Sequence, residues 1–204
     1  MKNAVKSREI EVVWHFTRLS NLDSILTHGL KSINELEQLE LPTEVNDQYR
    51  FDGQTKAICC SIEHPNYKMF YRLRQENPEI DWVTIAIKPS ILWKKDCAFC
   101  IENAASSNVA SIPIELRKGV DAFNKLYEDI EDKPTRKEMR LHSSYPTNPQ
   151  AELLVFDNIK PKHFMGVVTN QKAIANALQE KHEGLKVLLH NGPFSARADY
   201  EHWR

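Results

Sequence analysis

The sequence lacks several features that mark common classes of protein. It has only six glycines in 204 residues and no Gly-rich phosphate loop, which argues against a P-loop enzyme or a Rossmann domain. The formal net charge is −1, so the overall charge does not predict binding to nucleic acid. A local basic cleft is still compatible with this net charge. The N-terminal residues contain no apolar segment of a signal peptide, and no apolar run approaches the roughly 20 residues that span a bilayer. We therefore expect a cytoplasmic protein that does not bind membranes.

Cysteine is also sparse, with four residues at Cys59, Cys60, Cys97 and Cys100. The last two form a CxxC pair, which could hold zinc, but no second pair and no closely spaced histidine pair follows it. Cys59 and Cys60 are adjacent in an apolar run, so their side chains would point to opposite faces of a strand. We predict buried, reduced, structural cysteines and no metal site.

The order of the apolar patterns predicts a mixed α+β protein. The length fits one domain, residues 1–204, with a weakly ordered tail at 195–204. Strands and helices do not alternate regularly, which argues against a doubly wound parallel sheet. The periodicities predict strands at 10–17, 57–62, 82–88, 91–93, 98–101, 152–156, 163–169 and 185–190, and helices at 20–28, 32–41, 65–76, 114–130 and 171–181.

The stretch from 140 to 157 is the strongest candidate for a functional site. Its first half, LHSSYPTNPQ, is polar and holds two prolines, so it predicts an irregular loop. Its second half, which begins at Glu152, is a short apolar run typical of a buried strand. A carboxylate that opens a buried strand beside a loop with His142 and Tyr145 is well placed in a cleft. The alternative is a solvated charge at the end of a strand.

Other polar residues are candidates by position. His15 and Thr17 share one face of the first strand, and Asn21 lies where the following helix begins. Arg50 lies in a loop between two aromatic residues, where it is either solvated or beside a phosphate or base. Tyr71 belongs to a helix in which aromatic and basic residues alternate, and it either packs inward or stacks on a ring.

Four segments together resemble the DarT family of bacterial toxins, which use NAD to attach ADP-ribose to a base of single-stranded DNA. They are WHFT at 14–17, NLDSILTHGL at 21–30, Arg50, and YPTNPQAELLV at 145–155. The chain departs from the family after the strand at 57–62, where it reads SIEHPN instead of a Pro- and Phe-rich run. This departure puts the choice of substrate in doubt, since a divergent CmdT-type branch from a phage-defence system modifies adenine in RNA.

The resemblance implies an ADP-ribosyltransferase fold with two facing, mostly antiparallel sheets, peripheral helices and a central NAD cleft. It implies that Glu152 is the catalytic carboxylate, and that Arg50 is a second catalytic residue that meets the NAD pyrophosphate or steadies the target base. The residues that it places against NAD are His15, Thr17, Asn21, Arg50 and Tyr71, and those that it places against the target are His142 and Tyr145.

The resemblance also implies partners. The substrate would be single-stranded DNA, or RNA in a CmdT-type branch, with NAD as co-substrate and no metal. A cognate antitoxin would neutralise the toxin, either as a macrodomain hydrolase or as an occluding protein, sometimes with a chaperone. Two alternatives are open: an inactive module on the same fold that binds nucleic acid or a partner, and an enzyme that modifies a protein.

Overall fold

The computed structural model describes residues 1–41, 44 and 52–203. Within these ranges, no helix is long and apolar enough to cross a membrane. The helices are α1 Lys2–Ser7, α2 Leu22–His28, α3 Ile33–Gln38, α4 Tyr67–Glu76, α5 Ile91–Lys94, α6 Ser107–Ala110, α7 Gly119–Lys125 and α8 Lys172–Lys181. The strands are β1 Val13–Arg18, β2 Ile58–Ile62, β3 Trp82–Ile87, β4 Cys97–Cys100, β5 Glu152–Val155, β6 Phe164–Thr169 and β7 Val187–Leu189.

The strands form one sheet in the order β4-β5-β2-β1-β3-β6-β7. Neighbouring strands are antiparallel, except for the parallel pair β6 and β7. β1 pairs with β3 along its whole length, but it meets β2 only at Val13↔Ile62 and Trp14↔Ser61. The sheet is therefore nearly divided into a half with β4, β5 and β2 and a half with β1, β3, β6 and β7. The predicted α+β fold is confirmed, and the two expected sheets are halves of one split sheet.

The two faces of the sheet bury different side chains, because residues alternate along each strand. On one face, aliphatic residues such as Val13, Ile85 and Ile87 join the main core beneath α2, α7 and α8. On the other face, Phe70 of α4 lies against Phe16 and Trp82 in an aromatic cluster. Both layers fix β1 rigidly, so the polar residues that follow Trp14 on this strand have defined positions.

Two sequence predictions of secondary structure were wrong. The run at 91–93 was expected to be a strand, but it forms the short helix α5; a short apolar run does not reveal its period. The helix expected at 114–130 is broken, because Lys118 is extended and Gly119 has a φ of +83°, a left-handed conformation that favours glycine. Leu116, predicted to pack on the core face, is consequently exposed.

The C-terminal segment at 195–203 also differs from the expectation of a weakly ordered tail. Arg197, Asp199 and Trp203 are buried, and the guanidinium of Arg197 donates to both carboxylate oxygens of Asp199. It also donates to the carbonyl oxygens of Pro146 and Thr147, at 2.7 and 2.9 Å. The sequence of this segment is polar and has no periodicity, so it gives no local signal of order. The segment is ordered because distant residues pair with its buried charges.

Candidate active site

A cleft opens where the two halves of the sheet separate. Beyond their two paired positions β1 and β2 diverge, and the space between them measures about 1220 Å³, including the part that is open to solvent. Nδ1 of His15 lies 2.8 Å from the carbonyl oxygen of Cys59 across this split. His15 thereby satisfies a carbonyl of β2 that has no strand neighbour on that side. The cleft thus forms because β1 and β2 pair over only two positions.

Glu152 is the first residue of β5, and its buried side chain forms part of the cleft wall. Its Oε1 accepts hydrogen bonds from Nδ2 of Asn66 at 3.4 Å and Nδ2 of Asn103 at 3.2 Å. Its Oε2 accepts from the backbone N–H of Ala104 at 3.0 Å. An ionised carboxylate only accepts hydrogen bonds, so these three donors suit a negative charge. The side chain is therefore held inside the cleft, unlike a solvated charge at a strand end.

Asn66 fixes the orientation of this carboxylate through its place at the start of α4. Its Oδ1 caps the helix by accepting from the backbone N–H of Met69 at 3.2 Å, and its backbone N–H donates to Oγ of Ser61 at 3.1 Å. Because Oδ1 is engaged in the cap, Nδ2 is the group left to face Glu152. Sequence reasoning missed Asn66 and Asn103. An asparagine before a helical run signals a cap, but its second contact is tertiary.

His15 is neutral near pH 7. Burial lowers its pKa below the ordinary value, and the hydrogen bond to the carbonyl of Cys59 opposes this shift only in part. A carbonyl can only accept a hydrogen bond, so Nδ1 carries the proton and Nε2 is the acceptor. The cleft wall therefore presents an uncharged imidazole with a defined tautomer.

Thr17 and Asn21 line the same cleft, but they are bonded to their neighbours. Nδ2 of Asn21 donates to Oγ1 of Thr17 at 3.1 Å and to the carbonyl oxygen of Glu44 at 2.9 Å. Its Oδ1 accepts from the backbone N–H of Glu44 at 3.0 Å. Both amide protons of Asn21 are thus engaged, and the residue anchors the backbone at Glu44 beside the cleft.

Three of the other predicted site residues, Tyr71, His142 and Tyr145, do not line this cleft. Tyr71 lies on α4 with 58% of its surface exposed, so it does not pack in the core, and its stacking on a bound ring stays a prediction. His142 and Tyr145 line a second groove. Arg50 lies outside the described residues. The structure therefore brings together Glu152, His15, Thr17 and Asn21.

The four cysteines are free thiols, and Cys59 and Cys60 line the cleft. Burial raises the pKa of Cys97 to about 12 and that of Cys100 to about 11. These thiols are protonated at neutral pH and do not act as nucleophiles. Among the residues that the structure describes, no group of three or more His, Cys, Asp or Glu side chains is arranged to hold a metal ion.

Comparisons with known proteins agree with this fold. The fold resembles a Thermus sp. 2.9 DarT in complex with ADP-ribosylated single-stranded DNA (TM-score 0.63, 12% identity, 92% of this chain and 97% of that chain). It also resembles the same DarT in complex with carba-NAD⁺ (TM-score 0.62, 12% identity, 92% of this chain and 99% of that chain). A Thermosipho africanus DarTG in complex with ADP-ribose matches 90% of this chain at 19% identity with a TM-score of 0.61, and the match spans 50% of that longer chain. No curated protein matches the sequence. Residues 14–198 match the family described as "ssDNA thymidine ADP-ribosyltransferase, DarT", and the chain therefore belongs to the DarT family.

Proposed function

We propose that this protein is an NAD-dependent ADP-ribosyltransferase toxin that modifies a thymidine base in single-stranded DNA. The observation that carries the proposal is the buried carboxylate of Glu152, which three N–H donors hold at the wall of the cleft. Membership in the DarT family supports both the reaction class and the acceptor. A single strand suits the reaction, because a base must be unstacked before it can be attacked.

The reaction exchanges one bond to the ribose of NAD for another. The bond between C1′ and the nicotinamide nitrogen breaks, and its electron pair leaves with nicotinamide. A nitrogen of the base supplies the electrons for a new bond to C1′ and loses its proton, which Glu152 or solvent accepts. Positive charge grows on the ribose as the first bond opens, and a fixed anion stabilises it in a cleft that excludes much of the water. Glu152 is positioned to be that anion.

The cleft residues are suited to a dinucleotide. The wall of the cleft combines apolar side chains with His15, Thr17 and Glu152, as is typical of sites for small ligands. The acceptor Nε2 of His15 fits a hydroxyl or amide N–H of the ligand. We assign His15 and Thr17 to NAD contact, and Asn21 to holding the backbone at Glu44 beside it. By the family resemblance, Arg50 meets the pyrophosphate or the target base.

A transfer assay with radiolabelled NAD tests the function. The purified protein is incubated with single-stranded DNA, RNA of the same sequence and a mixture of proteins. We expect label on DNA, and nucleoside mass spectrometry should find it on thymidine. Label on RNA alone would favour a CmdT-type acceptor, and label on protein would overturn the nucleic-acid assignment. No label on any acceptor, from protein that binds NAD, would favour an inactive binding module.

A cognate antitoxin is part of the same proposal, by the resemblance to DarT toxins. It is a macrodomain hydrolase that removes ADP-ribose or a protein that occludes the cleft, with or without a chaperone. Isolation of the modified DNA distinguishes the two. A hydrolase restores unmodified DNA after transfer has occurred, whereas an occluding partner only prevents new transfer. A cytoplasmic location stays a prediction.

Changing Asn66 tests how the carboxylate is held. We expect Asn66→Asp to keep the α4 cap, because one oxygen can still accept from the N–H of Met69. The other oxygen would face Glu152 at about the present 3.4 Å, and two carboxylates at this distance retain a shared proton to a higher pH. Loss of the Asn66 donor should lower the transfer rate at pH 7 roughly tenfold, and the added carboxylate should move the rising limb of the pH profile up by about one pH unit or more.

Asn66→Ser is the matched control, because serine keeps a capping oxygen and adds no charge. It should lower the rate, and it should move the pH profile upward less than Asn66→Asp does, because it removes a donor to Glu152 but adds no second carboxylate. An Asn66→Asp protein with the pH profile of the parent would contradict the assignment of Asn66 as a positioning residue for Glu152.

A further inference from the structure

Arg117 is a buried arginine without an acidic partner. Only 4% of its surface is exposed, and it forms no ion pair with any residue that the structure describes. Its Nη1 donates to Sγ of Cys100 at 3.7 Å, and its Nε is buried without a hydrogen-bond partner among the described residues. A thiol is a weak acceptor, and a buried charge without compensation costs free energy. The stability of the fold therefore does not account for an arginine at this position.

The register of the sheet brings this arginine to the face of the sheet that carries Glu152. Cys100 in β4 and Glu152 in β5 are cross-strand partners, so their side chains point to the same face. Arg117 ends the 3-10 turn Ile114–Arg117, and its guanidinium reaches Cys100 on that face. The guanidinium and the carboxylate thus lie on one face of the sheet, each beside Cys100.

The medium around these two charges is apolar. Cys100 and Ala104 belong to a small buried cluster on this face, and the backbone N–H of Ala104 donates to Glu152. Burial raises the pKa of the Cys100 thiol to about 11, while Arg117 acts to lower it and Glu152 acts to raise it. Both charges therefore act on the same thiol, through protein in which charges interact more strongly than in water.

The described part of the cleft wall holds three other charged residues besides Glu152. All three are at least partly exposed to solvent, and they are Lys31, Glu44 and Asp52. Water and salt weaken the effect of such exposed charges on the carboxylate. The thiol of Cys100 and the imidazole of His15 are uncharged near pH 7. Of the residues that the structure describes around Glu152, Arg117 is therefore the buried cation.

We infer that Arg117 is a positioning residue for the transfer reaction, whose buried positive charge keeps the carboxylate of Glu152 ionised. The assignment rests on the proposed function, because that reaction needs a negative charge beside the ribose. Arg117 touches neither NAD nor the base in this account, and it acts only through Glu152. The free energy that its burial costs is then offset by a carboxylate that stays charged at lower pH.

Carbon-13 NMR of the side-chain carboxyl groups, in protein labelled at glutamate, tests the inference without requiring catalysis. The signal of Glu152 is identified because it disappears in Glu152→Gln. We expect Arg117→Met, which keeps a long side chain but removes the charge, to raise the pKa of Glu152 by about one unit or more. Arg117→Gln keeps an N–H for Cys100 without the charge, so it should raise that pKa as well.

Two further measurements separate this role from a structural one. Lys125→Met removes a positive charge from an exposed site on α7 and should leave the pKa of Glu152 unchanged, because solvent screens that charge. Arg117→Met should melt at or above the temperature of the parent, since it removes a buried charge and an unpaired donor. In the transfer assay, the rising limb of its pH profile should move up by about the same one unit.

The outcomes distinguish this assignment from the proposed function. If Glu152 titrates at higher pH in both Arg117 variants but the parent transfers no ADP-ribose, the proposed function fails and the electrostatic link stands. If the parent transfers ADP-ribose and Arg117→Met leaves the pKa of Glu152 unchanged, the assignment is overturned and the proposed function is untouched. It is also overturned if Lys125→Met raises that pKa equally, or if Arg117→Gln does not raise it, since the hydrogen bond to Cys100 would then be responsible.

Discussion

Replacing Glu152 with glutamine is expected to abolish nearly all transfer of ADP-ribose while leaving the fold intact. Glutamine has almost the same shape, so the packing of β5 is preserved, but it removes the negative charge that would stabilise the ribose cation. Loss of one electrostatic group of this kind costs on the order of 100- to 1000-fold in rate. The rate of labelled ADP-ribose transfer to single-stranded DNA and the survival of cells that express the variant both measure the effect.

The hydrogen-bond geometry around Glu152 refines this expectation. A side-chain oxygen of glutamine can accept from Asn66 and Asn103, but its NH₂ group would then meet the N–H of Ala104, which is also a donor. The clash of two donors should cost a few degrees of melting temperature at most, since it concerns one hydrogen bond. A folded Glu152→Gln protein that transfers ADP-ribose at the rate of the parent would contradict the catalytic role.

Replacing Arg197 with methionine is expected to cause a large loss of stability. The side chain bonds to both oxygens of Asp199 and to two backbone carbonyls, and both charged groups are buried. Removing one partner of a buried ion pair leaves the other charge uncompensated, which typically costs about 3–5 kcal/mol. For a chain of this length, that loss corresponds to a fall of about 10 °C in melting temperature, measured by differential scanning calorimetry.

The double variant Arg197→Met with Asp199→Leu is the control for this prediction. It removes the stranded charge, so it should recover part of the stability lost by the single variant. If Arg197→Met melts within about 2 °C of the parent, a shift that corresponds to roughly 1 kcal/mol or less, the 195–203 segment does not stabilise the domain as its contacts indicate.

The ion pair between Arg197 and Asp199 also makes the free energy of unfolding depend on pH in the acid range. Burial alone would raise the pKa of Asp199, but the hydrogen bonds and charge of Arg197 and the N–H of Trp203 lower it below the ordinary value. A carboxyl group with a lowered pKa stabilises the folded state above its unfolded pKa of about 3.9. This contribution is lost as the pH falls below that value toward the folded pKa.

Local patterns in the sequence were enough to predict several parts of the fold. The strand β3 and the helical segment that contains α3 follow from local rules, because their signals lie in neighbouring residues. The position of Glu152 at the junction of a polar loop and a buried strand made it a candidate, with a solvated charge as the alternative, and the family resemblance singled it out. The α5 helix was missed, because three apolar residues fit either period.

The arrangement around the site could not be predicted in the same way. The split of the sheet depends on β1 and β2 pairing at only two positions, and no local pattern encodes where two distant strands separate. The hydrogen bond from Asn66 to Glu152 joins residues that are 86 positions apart in the sequence. Arg197 likewise depends on a loop about 50 positions earlier in the chain. Such contacts follow from the assembled topology, so they require the structure.

A crystal structure of the protein with a non-hydrolysable analogue of NAD tests the central claim most directly. The analogue should lie in the split between β1 and β2, with a hydroxyl of its nicotinamide-bearing ribose within hydrogen-bond distance of the carboxylate of Glu152, roughly 3 Å. A dinucleotide bound elsewhere, or a ribose that the carboxylate of Glu152 does not reach, would contradict the account.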